Sequence, residues 1–226
     1  MKIVGISDLH GQLSGYTIPE ADILCICGDI SPLKFQSNIP SMDGWFKKRF
    51  IPWCQKQPVE EVYLIAGNHD FFLDNRMNTI HQYLIGTKIN YLEDSLCEYV
   101  DSEEGKTWKI WGTPWCHIFG NWSFMRSPEF ETEKFSLIPE DVDILLTHDA
   151  AYGRNDQCFE GRVPNKHIGN IELANRLNEI SPKLHLTGHL HSSQHKIIEY
   201  NSTKTVCVSL LDENYNLSYK PLIIDV

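Results

Sequence analysis

Nowhere do these 226 residues hold an apolar run approaching the roughly 20 needed to cross a bilayer, so the sequence predicts no membrane partner. Cys-x-x-Cys pairs are missing too. The seven cysteines are odd in number and irregularly spaced, which excludes a disulfide framework or a zinc ribbon. Cys25 and Cys27 sit inside an apolar run and read as buried strand residues, and reduced thiols fit a cytoplasmic protein. Basic residues are scarce: 20 Lys and Arg against 30 Asp and Glu leave a formal charge of −10. Such a surface repels a polyphosphate backbone and counts against a nucleic-acid partner, although acidity also serves simply to keep a protein soluble. Repeats, low-complexity tracts and linkers are lacking, which predicts one domain over 1–226. Met1–Ile6 leads straight into Ser7-Asp8, so the expectation is no cleavable leader, and the sequon Asn201-Ser202-Thr203 is expected to go unused. No pattern signals an oligomeric state.

What the chain does have is a series of short, β-branched apolar runs. Lys2–Ile6, Asp22–Cys27, Glu61–Ala66, Thr107–Trp111, Asp143–Thr147 and Lys183–Thr187 are each the length of one buried strand. Further strands are expected at His195–Tyr200, Lys204–Ser209 and Pro221–Val226. Between them, Ser41 is placed to cap a helix holding Trp45, Phe46, Phe50 and Trp53. A second helix carries Ile168, Ile171, Ala174, Leu177 and Ile180 and stops before Ser181-Pro182. Strands alternating with helices indicate a layered α/β domain. Phe119–Pro139 shows neither period and reads as a long loop.

Five of the runs end in Asp, His or Asn. Ser7-Asp8-Leu9-His10, Gly28-Asp29, Gly67-Asn68-His69-Asp70, His148-Asp149 and Gly188-His189-Leu190-His191 follow them in order. Open α/β sheets bind ligands beyond the carboxyl ends of their strands, where rigid backbone holds short side chains in place. The glycines at 28, 67 and 188 are expected to let the chain turn sharply there. Mixed nitrogen and oxygen donors suit Mn, Fe, Zn or Co better than Ca or Mg alone. Each block alone is common in loops and turns; their joint occurrence points to a metal site.

With these five blocks the sequence resembles the calcineurin-like metallophosphoesterase superfamily, whose pattern is Asp-x-His, Gly-Asp, Gly-Asn-His-Asp/Glu, a lone His and Gly-His-x-His. The resemblance implies a four-layer sandwich of two mixed β-sheets flanked by helices, with two divalent metals at one edge. Mn is the first choice among Mn, Fe, Zn, Co, Ni and Mg. Asp8, His10 and His191 would hold one ion, Asn68, His148 and His189 the other, and Asp29 would bridge them. His69 would stand at the leaving-group oxygen with Asp70 orienting it, or else would only orient Asn68. Two cations roughly 3.5–4 Å apart lower the pKa of a shared water, so a bridging hydroxide would attack a small phosphate-ester substrate.

A narrower resemblance joins Trp111-Gly112-Thr113-Pro114-Trp115, Phe119-Gly120-Asn121-Trp122-Ser123-Phe124 and Gly169-Asn170-Ile171-Glu172-Leu173 to metallophosphoesterase-domain proteins related to class III cyclic-nucleotide phosphodiesterases. It implies a phosphodiesterase or phosphomonoesterase, with nucleotides among the candidate substrates. Trp115, His117 and Arg126 would border the substrate, though Trp115 and Trp122 would equally serve to pack the loop. Thr147-His148-Asp149-Ala150-Ala151 departs from the Thr-His-Gly-Pro-Pro of that subgroup, which alters the loop but keeps the histidine. Gly28-Asp29-Ile30-Ser31-Pro32 lacks the Asp-Arg-Gly continuation of the superfamily's protein phosphatases. Two alternatives stay open: a nuclease, opposed by the charge, and a non-catalytic interaction scaffold, opposed by the complete ligand set.

Overall fold

The computed structural model describes residues 1–76, 79–158, 166–193 and 195–226. The first four strands, β1 (Lys2–Ile6), β2 (Ile23–Cys27), β3 (Glu61–Ile65) and β4 (Ile89–Tyr91), run parallel. β5 (Ser95–Asp101) and β6 (Lys106–Thr113) form an antiparallel hairpin that starts a second sheet, continued by β7 (Ile144–Thr147). A two-strand ribbon of β8 (Gln157–Cys158) and β9 (Lys166–His167) stands apart. The chain then adds β10 (Leu184–Thr187), β11 (Ile198–Tyr200) and β12 (Thr203–Cys207) to the second sheet and returns β13 (Leu222–Asp225) to the first. The orders are β13-β1-β2-β3-β4 and β11-β12-β10-β7-β6-β5, both mixed.

Burial explains why these runs are strands. Ile3, Ile23, Cys25, Tyr63 and Ile65 of the first sheet face Ile110, Ile144, Leu146, Leu186 and Val206 of the second, forming a core between the sheets. Alternate residues point outward, Val4, Leu24, Ile26 and Leu64 from one sheet and Leu145 from the other, and pack with helical side chains. Both faces of each central strand are therefore apolar, the pattern of parallel strands covered on two sides. Each fully buried Leu, Ile or Phe contributes roughly 1.5–3 kcal/mol before its ordering entropy is counted.

Two helical segments, α1 (Ile39–Trp45) and α2 (Ile51–Gln55), are joined by one π-helical stretch at Phe46–Phe50 and bury Met42, Phe46, Phe50 and Cys54. The cap is Asn38, not Ser41: the Asn38 side chain accepts the Ser41 amide at 3.0 Å, with Pro40 in the first turn. Two short helices, α3 (Phe71–Arg76) and α4 (Ile80–Leu84), follow β3. The expected long loop contains α5 (Pro128–Ser136), capped by Ser127. Only Phe130 and Phe135 are apolar there, too few for a helical stripe, so the Ser-Pro cap was its one local signal. Finally α6 (Ile171–Ile180) starts three residues later than its apolar spacing suggests, because the Asn170 side chain caps it by accepting the Leu173 amide at 3.0 Å.

Candidate metal centre

The C-terminal ends of β1, β2 and β3 meet those of β7 and β10 where backbone hydrogen bonds join the two sheets. Leu210 donates to the Ser7 carbonyl at 3.1 Å across the sheets, and Gly188 donates to the His148 carbonyl at 3.0 Å within the second sheet. Asp8, His10, Asp29, Asn68, His148 and His191 are all buried there, and His189 is half-buried. Two groups of side chains converge closely enough to share an ion: Asp8, His10 and His191, and Asp8, Asp29 and His148. Asn68 belongs with the second group, its Oδ1 lying 3.0 Å from His148 Nε2. The His189 ring lies tilted at 59° with its centroid 5.2 Å from that of His148. All seven expected ligands are thus brought to one spot; Asp8 belongs to both groups, while Asp29 belongs to the second and lies 3.7 Å from His10 of the first.

The ring orientations suit metal binding. His148 Nδ1 bonds the Cys27 carbonyl at 2.7 Å, which leaves Nε2 facing Asp29 Oδ2 at 3.4 Å. His191 Nδ1 likewise bonds the Asp212 carbonyl at 2.9 Å, and its Nε2 faces Asp8 Oδ1 at 3.3 Å. Pinning one ring nitrogen to a carbonyl aims the other's lone pair inward. Both nitrogens of buried His10 lack a hydrogen-bond partner, with Asp29 Oδ2 3.7 Å away. A buried polar group left unpaired costs about 1–3 kcal/mol, and a bound cation would relieve it. The donor set and this orphan fit divalent metal ions.

The backbone is held under strain at the same place. Asp8, His10, Asp29 and His189 have φ of 56°, 42°, 53° and 68°, a left-handed conformation that side chains other than glycine adopt at a cost of order 1–3 kcal/mol. Neighbouring amides hold them there: His10 N donates to the Asp29 carbonyl at 2.9 Å, and His69 N to Asp29 Oδ1 at 2.7 Å. Of the three glycines, only Gly28 uses a positive φ, 90°. Gly67 and Gly188 serve instead to clear space. A Cβ at 67 would meet Asp29 and His148, and one at 188 would meet Ser7, the Cys27 carbonyl and Asp8.

The charges are arranged in opposition. Burial pushes Asp29 up, but the His148 imidazole outweighs it and holds the carboxyl well below the usual carboxylate range. Burial would lower His148 and His191, yet Asp29 and Asp8 lift them to about 10 and about 9. Burial lowers His10 and His189 to about 4. Without metal at pH 7, His148 and His191 therefore carry protons exactly where an ion needs lone pairs. Metal binding is expected to release about two protons, and affinity to rise with pH until about 9–10. Calorimetry of Mn binding in buffers of different ionisation enthalpy measures this; binding without proton release would contradict it.

Around the cluster lies a cavity of about 200 Å³, walled by His10, Asp29, Asn68, His69, His189 and His191 together with Phe119, Trp122, Glu213 and Tyr215. A larger cleft of about 710 Å³ beside Lys2 and Asp22, at the other end of these strands, holds none of the ligand residues.

Several expected positions are corrected. Asp70 does not orient His69; it is buried and accepts from the Gly67 amide at 2.8 Å, the Ser31 amide at 3.0 Å and the Ser31 hydroxyl at 2.6 Å, tying two ligand loops together. Gln36 takes the orienting place, its Oε1 2.7 Å from His69 Nδ1. Trp115 is buried, donates to Asp94 Oδ1 at 2.8 Å and packs the loop without lining the cavity. Arg126 is held by Asp74 at 3.1 Å and sits over the Trp115 ring. His117 bonds Asp149 at 2.6 Å and lies behind Phe119, whose ring separates it from His189. Gln36, Glu213 and Tyr215 were missed, since they come from turns that carry no ligand signature.

The family model described as calcineurin-like phosphoesterase matches residues 1–193. The chain belongs to this family. Calcineurin-like phosphoesterases typically bind two divalent metal ions, and the ligand cluster described above is the candidate site for them. The human and mouse proteins named metallophosphoesterase domain-containing protein 1 are each 29% identical over 244 residues, covering 100% of this chain and 71% of theirs. Among solved structures, phosphopantetheinyl hydrolase from Mycobacterium tuberculosis superposes with a TM-score of 0.62 at 14% identity, covering 98% of this chain and 95% of the other. That likeness shows the shared two-sheet phosphoesterase fold.

Proposed function

We propose that this calcineurin-like phosphoesterase is a dinuclear metal-dependent hydrolase of small phosphodiesters or phosphomonoesters, with nucleotides among the candidates. The observation that carries the reading is the convergence of Asp8, His10, Asp29, Asn68, His148, His189 and His191 on one strained, buried edge with two inward-aimed histidine nitrogens. Asp8, His10 and His191 would hold one ion, Asn68, His148 and His189 the other, with Asp29 between them. Two divalent cations there, Mn first among them, supply the charge that activates a water and polarises the phosphoryl oxygens.

The chain's own groups do the rest. Asp29 is fixed by the His69 amide, so its carboxylate cannot swing away. His69 presents Nε2 to the cavity while Gln36 Oε1 accepts from Nδ1, so its imidazolium form would be the proton donor to the leaving oxygen. Phe119 and Trp122 limit the water around the phosphoryl group. Among the described residues the wall of this cavity carries neither Lys nor Arg, which speaks against a nuclease, and the intact donor set speaks against a scaffold without turnover.

Protein stripped of metal and reloaded with Mn, Co, Ni, Zn or Mg is expected to hydrolyse bis-p-nitrophenyl phosphate or p-nitrophenyl phosphate, with no turnover after chelation. Absence of turnover with every metal, in protein shown to bind two ions, would overturn the reading and leave the scaffold.

A further inference from the structure

The phosphoesterase reading leaves open which ester the cavity admits, and the following rests on that reading. Beyond the ligands and His69, the wall among the described residues consists of three aromatic rings, Phe119, Trp122 and Tyr215, and one carboxylate, Glu213. Phe119 and Trp122 come from the segment between β6 and α5; Glu213 and Tyr215 come from the turn between β12 and β13. They approach from different sides. Trp122 lies 4.5 Å from the His69 ring, Phe119 5.1 Å from His189, and Tyr215 5.0 and 5.1 Å from His10 and His191. Phe119, Trp122 and Tyr215 remain 51%, 37% and 40% exposed, so part of each side chain is accessible to a ligand.

The chemistry of this wall is selective. Aromatic faces carry a negative quadrupole and attract a desolvated cation, quaternary ammonium above all. Glu213 adds charge of the same sense. A second phosphate or a carboxylate on the substrate would find no Lys or Arg among the described residues of the wall and would face Glu213. Arg126, the cation nearest in sequence, is already paired with Asp74. A neutral ring would stack on the same aromatics but would gain nothing from the carboxylate.

We propose that the site selects phosphate esters whose organic arm bears an amine or quaternary ammonium group, held between these aromatic rings and Glu213 while the phosphoryl group sits at the Asp8–Asp29 cluster. The test compares p-nitrophenyl phosphocholine with p-nitrophenyl 3,3-dimethylbutyl phosphate, which replaces the cationic nitrogen by carbon at equal shape. The cationic ester is expected to have the higher kcat/KM by about tenfold, a ratio that falls towards one in Glu213→Gln. A ratio near one in the wild type, or faster cleavage of 3′,5′-cyclic AMP than of either ester, would overturn the proposal. Turnover of bis-p-nitrophenyl phosphate reports separately on the phosphoesterase reading.

If no ester is cleaved, binding still decides. Tetramethylammonium chloride, against sodium chloride at equal ionic strength, is expected to change tryptophan fluorescence saturably, with the change absent in Trp122→Phe and weaker in Glu213→Gln. No saturable change, or one untouched by Glu213→Gln, would overturn it.

Discussion

Replacing Asp29 by Asn is expected to lower metal-dependent hydrolysis by about 10²–10³-fold or more, the scale of losing one aimed electrostatic group at a reacting centre. The effect follows from what surrounds the carboxylate. Its Oδ2 stands 3.4 Å from His148, 3.7 Å from His10 and 3.9 Å from His69, and its Oδ1 accepts the His69 amide. Asp29 is the one carboxylate within 4 Å of three imidazoles among the described residues. An amide keeps the shape but removes the charge that offsets two cations, and it turns a donor towards groups that need an acceptor. Elemental analysis is expected to find fewer than two ions per chain, with circular dichroism unchanged. A variant that keeps both ions and full kcat would show that Asp29 does not bridge.

The second large effect is on stability. Gly67→Ala would press a methyl group against Asp29 Oδ1, the Asp29 amide at 2.6 Å and His148 Cε1 at 2.6 Å. Two of these are fixed by the backbone or by the Cys27 carbonyl's grip on His148, so relief requires the loop itself to move. Overpacking of this kind costs about 1–3 kcal/mol, and here the movement also separates the two ligands. Urea unfolding and metal content are expected to fall together. Gly44→Ala is the control: nothing lies within 4 Å of a Cβ there, and in α1 the change is expected to stabilise by about 0.4–1 kcal/mol. Equal behaviour of the two variants would remove the close-approach argument.

The strands that carry ligands were legible because they are buried on both faces. Residues 3–6 and 62–65 are buried, uncharged runs that end abruptly in chemistry-bearing residues, and such boundaries survive without any tertiary information. β5 was not legible, since only Tyr99 and Asp101 of its seven residues are buried and its period is broken by exposed Leu96 and Val100. The helix α5 was hidden for the same reason, having a cap but no stripe. Within the site, ligands on strand ends were found and their supports were not. Gln36 precedes α1 in a turn, and only the folded approach of that turn to His69 gives it a role. Asp70, one residue from His69, is carried by local geometry towards Ser31 and Gly67 instead. Tyr215, with φ of 60°, is set by the Asp212 turn, in which Asp212 accepts from the amides of Asn214 and Asn216. That turn chemistry is readable, but the cavity it reaches is not.

The central claim is that two ions act together at the Asp8–Asp29 edge. The direct measurement is a titration of metal-free protein with Mn, following bound metal and hydrolysis of bis-p-nitrophenyl phosphate in the same samples, with Asn68→Ala alongside. Turnover that climbs steeply only as the second equivalent binds, and that is lost with one ion in Asn68→Ala, is the result predicted. Full turnover at one equivalent, or an Asn68→Ala variant that binds two ions and hydrolyses at the wild-type rate, would contradict it.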